Sequence, residues 1–264
     1  MNSFKFLIVV PYYNRPNMFR EGLKTLLSMS YDNWEVAIID DGSDKDKKAS
    51  SIIKDVFGEL TPLSQKVKLY ETKDTLENKL RRGSIHSTFM NLAIKESDAD
   101  YALMISDDDG LYEYYLEDLN EYYNQHPEVN YSFSHIIPYD PMEELPSEET
   151  FLARKKEIGD TGKWRNFNSD SWINVNHITD CPPVDVLDAT QVSWNIKEGA
   201  KHGCTFDESN MINCDRDIFS KFYQNFGVCP YNKTVGPYKA FHGNQLGVRV
   251  RADSNLYEVV DKDE

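Results

Sequence analysis

The chain has no uninterrupted apolar run near the roughly 18 residues that a membrane-spanning helix needs. The apolar stretch from Met1 to Val10 is short, lacks a small-residue cleavage site and runs straight into Pro11, so it reads as a strand and not as a signal peptide. Basic residues are also scarce: 29 Lys and Arg stand against 44 Asp and Glu, a formal charge of -15, with a pI near 4.8. That balance weighs against nucleic acid as a partner, because a phosphate backbone needs a basic face. It weighs equally against docking on anionic lipid by charge alone. The four cysteines, Cys181, Cys204, Cys214 and Cys229, include no CxxC pair. They read as free thiols in a reducing compartment, and zinc held by Cys and His is disfavoured. There is no internal repeat and no low-complexity tract. These absences leave a globular, cytoplasmic chain in which a cation bound at clustered carboxylates could still bring a phosphorylated ligand to an acidic protein.

What is present is an alternation of buried strands and amphipathic helices. Phe4 to Val10 is apolar except at Lys5 and suits a strand covered on both faces. Arg15-Pro16-Asn17 opens a helix carrying Met18, Phe19, Gly22, Leu23, Leu26 and Leu27 at helical spacing, with Pro16 in the first turn, where a missing N–H is harmless. Trp34 to Ile39 is a second strand, ending in Asp40-Asp41-Gly42-Ser43. A helix with Ile52, Ile53, Val56 and Phe57 closes at Gly58, and Val67 to Tyr70 is a third strand. A helix over Ser84 to Lys95, a fourth strand over Tyr101 to Ile105 and a helix over Tyr112 to Asn124 follow. This order predicts an α/β fold with a Rossmann-like, doubly wound, mostly parallel sheet. In such sheets ligands bind beyond the carboxyl ends of the strands, and polar residues crowd three of those ends: Tyr12 to Arg15, Asp40 to Ser43 and Asp107 to Asp109. After Tyr131 to Ile137 the pattern changes. Residues 147–205 show little periodicity, and Asp215 to Phe226 returns to a helix. Residues 1–137 are therefore expected to form the nucleotide-binding half, and residues 138–264 the acceptor-binding half of the same domain.

Asp107, Asp108 and Asp109 sit on a turn after an apolar strand. Two carboxylates ~4 Å apart at an effective dielectric near 20 repel by about 4 kcal/mol, so either one is protonated or a cation neutralises them. Oxygen-only ligands favour Mg²⁺ or Mn²⁺, which usually take one or two carboxylates and complete their shell with water and phosphate oxygens. The bland alternative is a solvated turn whose Asp caps a helix beginning at Tyr112. An EF-hand register with Gly110 sixth fails, since it puts Ile105 first and Leu116 twelfth. Asp107 to Gly110 also matches the Asp-x-Asp-Gly turn of haloacid-dehalogenase-type phosphotransfer enzymes, with Asp107 as nucleophile. That turn normally opens its domain, however, and Leu111 stands where Thr or Val is expected.

Four segments together resemble the family 2 glycosyltransferases, which have the GT-A fold. They are Val9-Val10-Pro11-Tyr12-Tyr13-Asn14-Arg15, Glu35 to Ser43, Gly83 through Asn91 to Asp98, and Ser106-Asp107-Asp108-Asp109 in the place of the family's Asp-x-Asp. The resemblance covers about 110 residues. It implies that Pro11, Tyr12, Asn14 and Arg15 line a nucleotide pocket. Asp40 or Asp41 would bind the base or ribose, and Arg82 and Gly83 would approach the base or diphosphate. Asp109 is the favoured metal ligand, with Asp107 or Asp108 contacting ribose or metal-bound water and Asp107 a second metal candidate. The departure is Ser106 at the first Asp place, which shifts the acidic run. Asn14 and Gly42 also read as ordinary turn residues.

A weaker match lies further on. Phe206-Asp207-Glu208 and Asn213 to Phe219 resemble the family segment whose acid is the general base, which implies Asp215, with Asp217 as its rival. Asp215 could equally be the N-cap of its helix. His242-Gly243-Asn244-Gln245 resembles a terminal motif in which the His completes the metal shell, and Arg249 or Arg251 could neutralise phosphate. Trp164, Trp172 and Trp194 could stack on sugar faces, although buried packing is the simpler reading. The function implied is a Mn²⁺- or Mg²⁺-dependent, inverting hexosyltransferase moving a sugar from a nucleotide-diphospho-sugar, with a UDP-sugar favoured, to a hydroxyl of a glycan or small acceptor in glycan synthesis. The rivals are a non-catalytic nucleotide-sugar-binding module and the Asp107 phosphotransfer enzyme.

Overall fold

The computed structural model describes residues 2–72, 85–139, 188–209 and 214–240, with short pieces at 149, 152–153, 156, 163–165 and 172–174. The first part of the chain alternates as its hydrophobic pattern requires: β1 (Phe6–Tyr12), α1 (Pro16–Leu27), β2 (Trp34–Asp40), α2 (Ala49–Phe57), β3 (Val67–Glu71), α3 (Ile85–Glu96) and β4 (Tyr101–Met104). Then come β5 (Gly110–Leu111), α4 (Tyr115–Gln125), β6 (Tyr131–Tyr139), β7 (Lys163–Arg165), β8 (Trp172–Asn174), β9 (Val192–Asn195), α5 (Ile196–Lys201), α6 (Cys214–Phe226) and β10 (Tyr231–Ala240).

Eight strands form one sheet in the order β3-β2-β1-β4-β9-β6-β10-β5, and β7 and β8 pair separately. The strands from β1 to β4 run parallel. β9 enters antiparallel between β4 and β6, and β6 pairs parallel with β10. The fold is thus a mostly parallel α/β sheet, as the sequence predicts, with β9 and β10 of the later half built into it.

Alternation along β1 explains the two cores. Phe6, Ile8 and Val10 face a cluster with Phe19, Leu23 and Leu26 of α1, Ile52 of α2 and Leu116 and Leu119 of α4. Leu7 and Val9 face the opposite cluster with Met90 and Ala93 of α3, Trp194 of β9 and Ile218, Phe219 and Phe222 of α6. Each of the Val, Leu, Ile, Met and Phe side chains among them, once fully buried, contributes roughly 1.5–3 kcal/mol. Pro16 occupies the first turn of α1, as expected. α4 starts three residues later than its pattern suggests, because the Tyr112 N–H is donated to the Gly236 carbonyl of β10 (2.7 Å). Its N-cap, Tyr114, makes no side-chain cap bond, so the Asp107–Asp109 turn does not cap this helix.

Candidate active site

The parallel registers set Tyr12 beside Asp40 and Val9 beside Met104. The carboxyl ends of β1, β2 and β4 therefore open at one edge, and the loops that follow them meet there. Asn14 ties two of these loops together. Its backbone is left-handed, with φ of 56°, a conformation that Asn tolerates better than most residues. Its N–H donates to Ser43 Oγ (3.1 Å), and its Oδ1 accepts the Asp44 N–H (2.8 Å).

Arg15 joins the first loop to the acidic turn. Its Nη1 donates to Asp107 Oδ1 and to Asp108 Oδ2, each at 2.9 Å. The other Asp107 oxygen accepts the Tyr13 N–H (2.9 Å). Burial pushes the Asp107 carboxyl up to about 7; Arg15 works against that shift and the charge of Asp108 adds to it. Tyr139 donates its hydroxyl to the Asp108 carbonyl (2.8 Å).

Asp109, expected as a metal ligand, is held by groups of the protein itself. It is 1% exposed, and both of its oxygens carry protein donors. Oδ2 accepts from Lys239 Nζ (3.1 Å), Thr190 Oγ1 (2.9 Å) and the Ser106 N–H (3.3 Å), and Oδ1 accepts the Ala240 N–H (3.1 Å). A carboxylate so fully donated to has little left to offer a cation. The Lys239 ammonium also lies 3.3 Å from Asp188 Oδ1. Burial opposes its charge, but Asp109 and Asp188 hold it above the ordinary lysine range. Burial likewise opposes ionisation of Asp188, and Lys239 and Thr190 more than offset it, leaving its carboxyl below the usual range. In these ion pairs four carboxylates share Arg15 and Lys239.

Asp40 and Asp41 separate cleanly. Asp40 is fully buried, and its oxygens accept the Ser43 N–H (2.8 Å) and the Ala49 N–H (2.9 Å), which pins the loop to the start of α2. Asp41 is half-buried, with Oδ1 3.2 Å from Thr72 Oγ1. Tyr12 also turns inward: its ring stacks on Phe19 at 4.3 Å and its hydroxyl donates to the Lys47 carbonyl. Pro11 sits half-buried in β1, while the neighbouring Tyr13 is 37% exposed at the loop.

Asp215 lies in the first turn of α6, with Oδ1 accepting the Arg216 N–H (2.8 Å). Its carboxyl is raised, first by burial; the Arg216 N–H opposes this and the charge of Asp188 adds to it. Asp188 and Lys239 thus both act on Asp215. Asp217, in the same turn, is raised by burial and by the charge of Asp207. Across α3, Asn91 accepts the Phe206 N–H and donates to Glu208, which fastens the segment ahead of α6. Trp194 is buried against Phe206 and Phe219 and packs as core. Arg82, Gly83, His242, Arg249 and Arg251 lie outside the described residues, as do the side chains of Trp164 and Trp172. Tyr13, Thr72, Asp188, Thr190 and Lys239 were not singled out by the sequence. A lysine or an aspartate alone in an irregular stretch gives no sign that it faces a residue a hundred positions away.

Among the described residues no group of three or more His, Cys, Asp or Glu side chains is placed to hold a metal ion. Asp107 and Asp108 can supply the one or two carboxylates that a phosphate-bound Mg²⁺ or Mn²⁺ takes, whereas both Asp109 oxygens are met by protein donors. Among the described residues, no helix is long and apolar enough to cross a membrane.

A family model described as glycosyl transferase family 2 matches residues 7–178. An uncharacterised glycosyltransferase of Rickettsia conorii is 28% identical over 138 residues, covering 51% of this chain and 19% of the relative. One of Rickettsia bellii is 24% identical over 135 residues, covering 51% and 17%. The chain therefore spans about a fifth of the length of these relatives. Among solved structures, S. aureus TarS 1-349 in complex with UDP-GlcNAc superposes with a TM-score of 0.64 at 16% identity, over 97% of this chain and 64% of that one. The mannosyltransferase PcManGT of Pyrobaculum calidifontis, in complex with GDP-Man and Mn²⁺, gives 0.57 at 14% identity, over 92% and 59%. These likenesses establish a GT-A fold.

Proposed function

The chain belongs to glycosyl transferase family 2, and on that premise we propose that it transfers a sugar from a nucleotide-diphospho-sugar to a hydroxyl acceptor with inversion, assisted by Mn²⁺ or Mg²⁺. The observation that carries this reading is the convergence of Asp107, Asp108 and Arg15 at the carboxyl ends of β1 and β4. Asp41 and Thr72 at the neighbouring strand ends are suited to the polar edge of a base or ribose. TarS, which shares the fold, is described with UDP-GlcNAc, which supports a UDP-sugar donor. Asp107 and Asp108 would hold the cation, which when bound neutralises charge developing on the leaving diphosphate.

Asp215 is the proposed general base. Its raised carboxyl takes the proton of the acceptor hydroxyl as that oxygen attacks the anomeric carbon. Its place on a rigid helix turn, with Oδ1 on the Arg216 N–H, fixes the direction of the remaining oxygen. Arg15 is a cation at the carboxylate pair and is suited to bidentate contact with phosphate oxygens. The test is release of nucleoside diphosphate from a panel of UDP- and GDP-sugars with Mn²⁺ or EDTA, with and without glycan acceptors. Turnover of at least one donor, lost in Asp215→Asn, is the expected result. No turnover of any donor, with binding retained, would leave a nucleotide-sugar-binding module.

A further inference from the structure

We propose that Arg15 is a ligand-exchange residue: its guanidinium and a divalent cation compete for the same oxygens of Asp107 and Asp108, and Arg15 yields them as it moves to the donor's diphosphate. The inference rests on the donor-and-metal reading above and adds a coupling between the two ligands to it.

The geometry is specific. One nitrogen, Nη1, sits 2.9 Å from Asp107 Oδ1 and 2.9 Å from Asp108 Oδ2, at the point where the two carboxylates converge. A divalent cation taking those same oxygens would need them in direct coordination, at about 2.0–2.1 Å for Mg²⁺, and an N–H donor could not remain on them. The two arrangements therefore exclude each other. The partners also differ in exposure. The Asp107 and Asp108 side chains are 8% and 1% exposed, and that of Arg15 is 23% exposed. Asp107 is further fixed by the Tyr13 N–H. Arg15 is the N-cap of α1 and makes no side-chain cap bond there, so moving its guanidinium leaves the helix start intact.

The exchange is balanced by chemistry. A guanidinium fork matches a phosphate as well as it matches a carboxylate. A metal arriving alone must displace Arg15 from two carboxylates at once. A diphosphate arriving alone must draw Arg15 away from two buried carboxylates and leave them repelling each other. Arriving together, each removes the other's cost. Metal and diphosphate are thus positively coupled, and the coupling is reciprocal.

The test measures Mn²⁺ affinity by calorimetry for the 264-residue chain and for Arg15→Gln, Arg15→Lys and Arg20→Gln, each with and without UDP. Arg20 is a charge control that pairs with Asp55 away from the turn. Without UDP, Arg15→Gln is expected to bind Mn²⁺ about tenfold tighter or more than wild type, in the range of ordinary site-to-site coupling. Arg15→Lys and Arg20→Gln should stay within about threefold of wild type. UDP should raise the Mn²⁺ affinity of wild type by a larger factor than that of Arg15→Gln. Equal Mn²⁺ affinity of wild type and Arg15→Gln without UDP, while both bind Mn²⁺ with UDP, overturns the exchange and leaves the donor site standing. If no form binds Mn²⁺ or UDP, the donor site fails and the exchange fails with it. A second measurement needs no variant: the guanidinium N–H signals of Arg15 in the wild-type NMR spectrum should shift when Mg²⁺ and UDP are added together, and unchanged signals contradict the proposal.

Discussion

Lys239 and Asp109 form a buried ion pair, with Nζ 3.1 Å from Oδ2. The pair joins the end of β10 to the turn after β4, and through Asp188 it reaches the short turn that leads into β9. Removing the cation strands a carboxylate that is 1% exposed. Loss of one partner of a buried pair costs about 3–5 kcal/mol. Lys239→Met is therefore predicted to lower the unfolding free energy by that amount, read as a fall in the urea midpoint at unchanged m, and Lys239→Met with Asp109→Leu to recover much of it. A single variant as stable as wild type would show that the pair does not hold the turn.

Gly22 of α1 packs directly on the same turn. A Cβ there would lie 2.3 Å from the carbonyl oxygen of Asp109. That oxygen belongs to the backbone, so α1 or the turn must move. Gly22→Ala is predicted to cost about 1–3 kcal/mol and to weaken UDP binding in the presence of Mn²⁺, because Asp107 and Asp108 move with the turn. A melting curve and a UDP titration check both effects.

Asp215→Asn separates chemistry from binding. Loss of a positioned base is predicted to lower kcat by about 10²–10⁴-fold, with UDP affinity retained. The wild-type carboxyl is raised above 3.8, and the base must be ionised. Activity should therefore fall as pH drops through that raised value, with the acid limb above the ordinary Asp range. The stability consequence has the opposite sign. The folded carboxyl binds its proton more readily than the unfolded one, so this group's contribution is fully present below 3.8 and is lost as pH rises through the folded value. At pH 8 Asp215→Asn is predicted to melt slightly above wild type despite its lost activity. Melting below wild type at pH 8 would contradict this assignment of strain to the carboxylate.

Asp41 and Asp40 should respond differently. Asp41→Ala removes an acceptor at the strand end and is predicted to weaken UDP by about 1–3 kcal/mol with little change in stability. Asp40→Ala removes the acceptor of the Ser43 and Ala49 N–H groups, and leaving those donors without it is predicted to cost about 1–3 kcal/mol of stability. Calorimetry and thermal melts on the two variants separate these effects.

The parallel part of the fold is legible in the sequence because its strands are runs of apolar residues covered on both faces, and its helices carry one apolar stripe each. The polar strand ends then mark the edge where ligands bind. The later strands carry no such signal. β9 is only Val192–Asn195, and β10 holds Gly236, Pro237 and Lys239, residues that ordinarily argue against an interior strand. β10 accommodates them through register shifts against β6. Lys239 is buried only because Asp109 and Asp188 meet it from distant parts of the chain, a partnership that no local pattern encodes. For the same reason the roles within the acidic turn are not readable from spacing: three adjacent carboxylates look alike until the fold sets Lys239, Thr190 and the Ala240 N–H on Asp109 and Arg15 on Asp107 and Asp108.

The most direct test of the central claim is a calorimetric titration of UDP into the wild-type chain and into Asp108→Ala, with Mn²⁺ and with EDTA. The account predicts that wild-type binding depends on Mn²⁺ and that Asp108→Ala loses at least about tenfold in affinity, or about 1.4 kcal/mol. Equal UDP affinity in the two proteins, or wild-type affinity unchanged by EDTA, would contradict it.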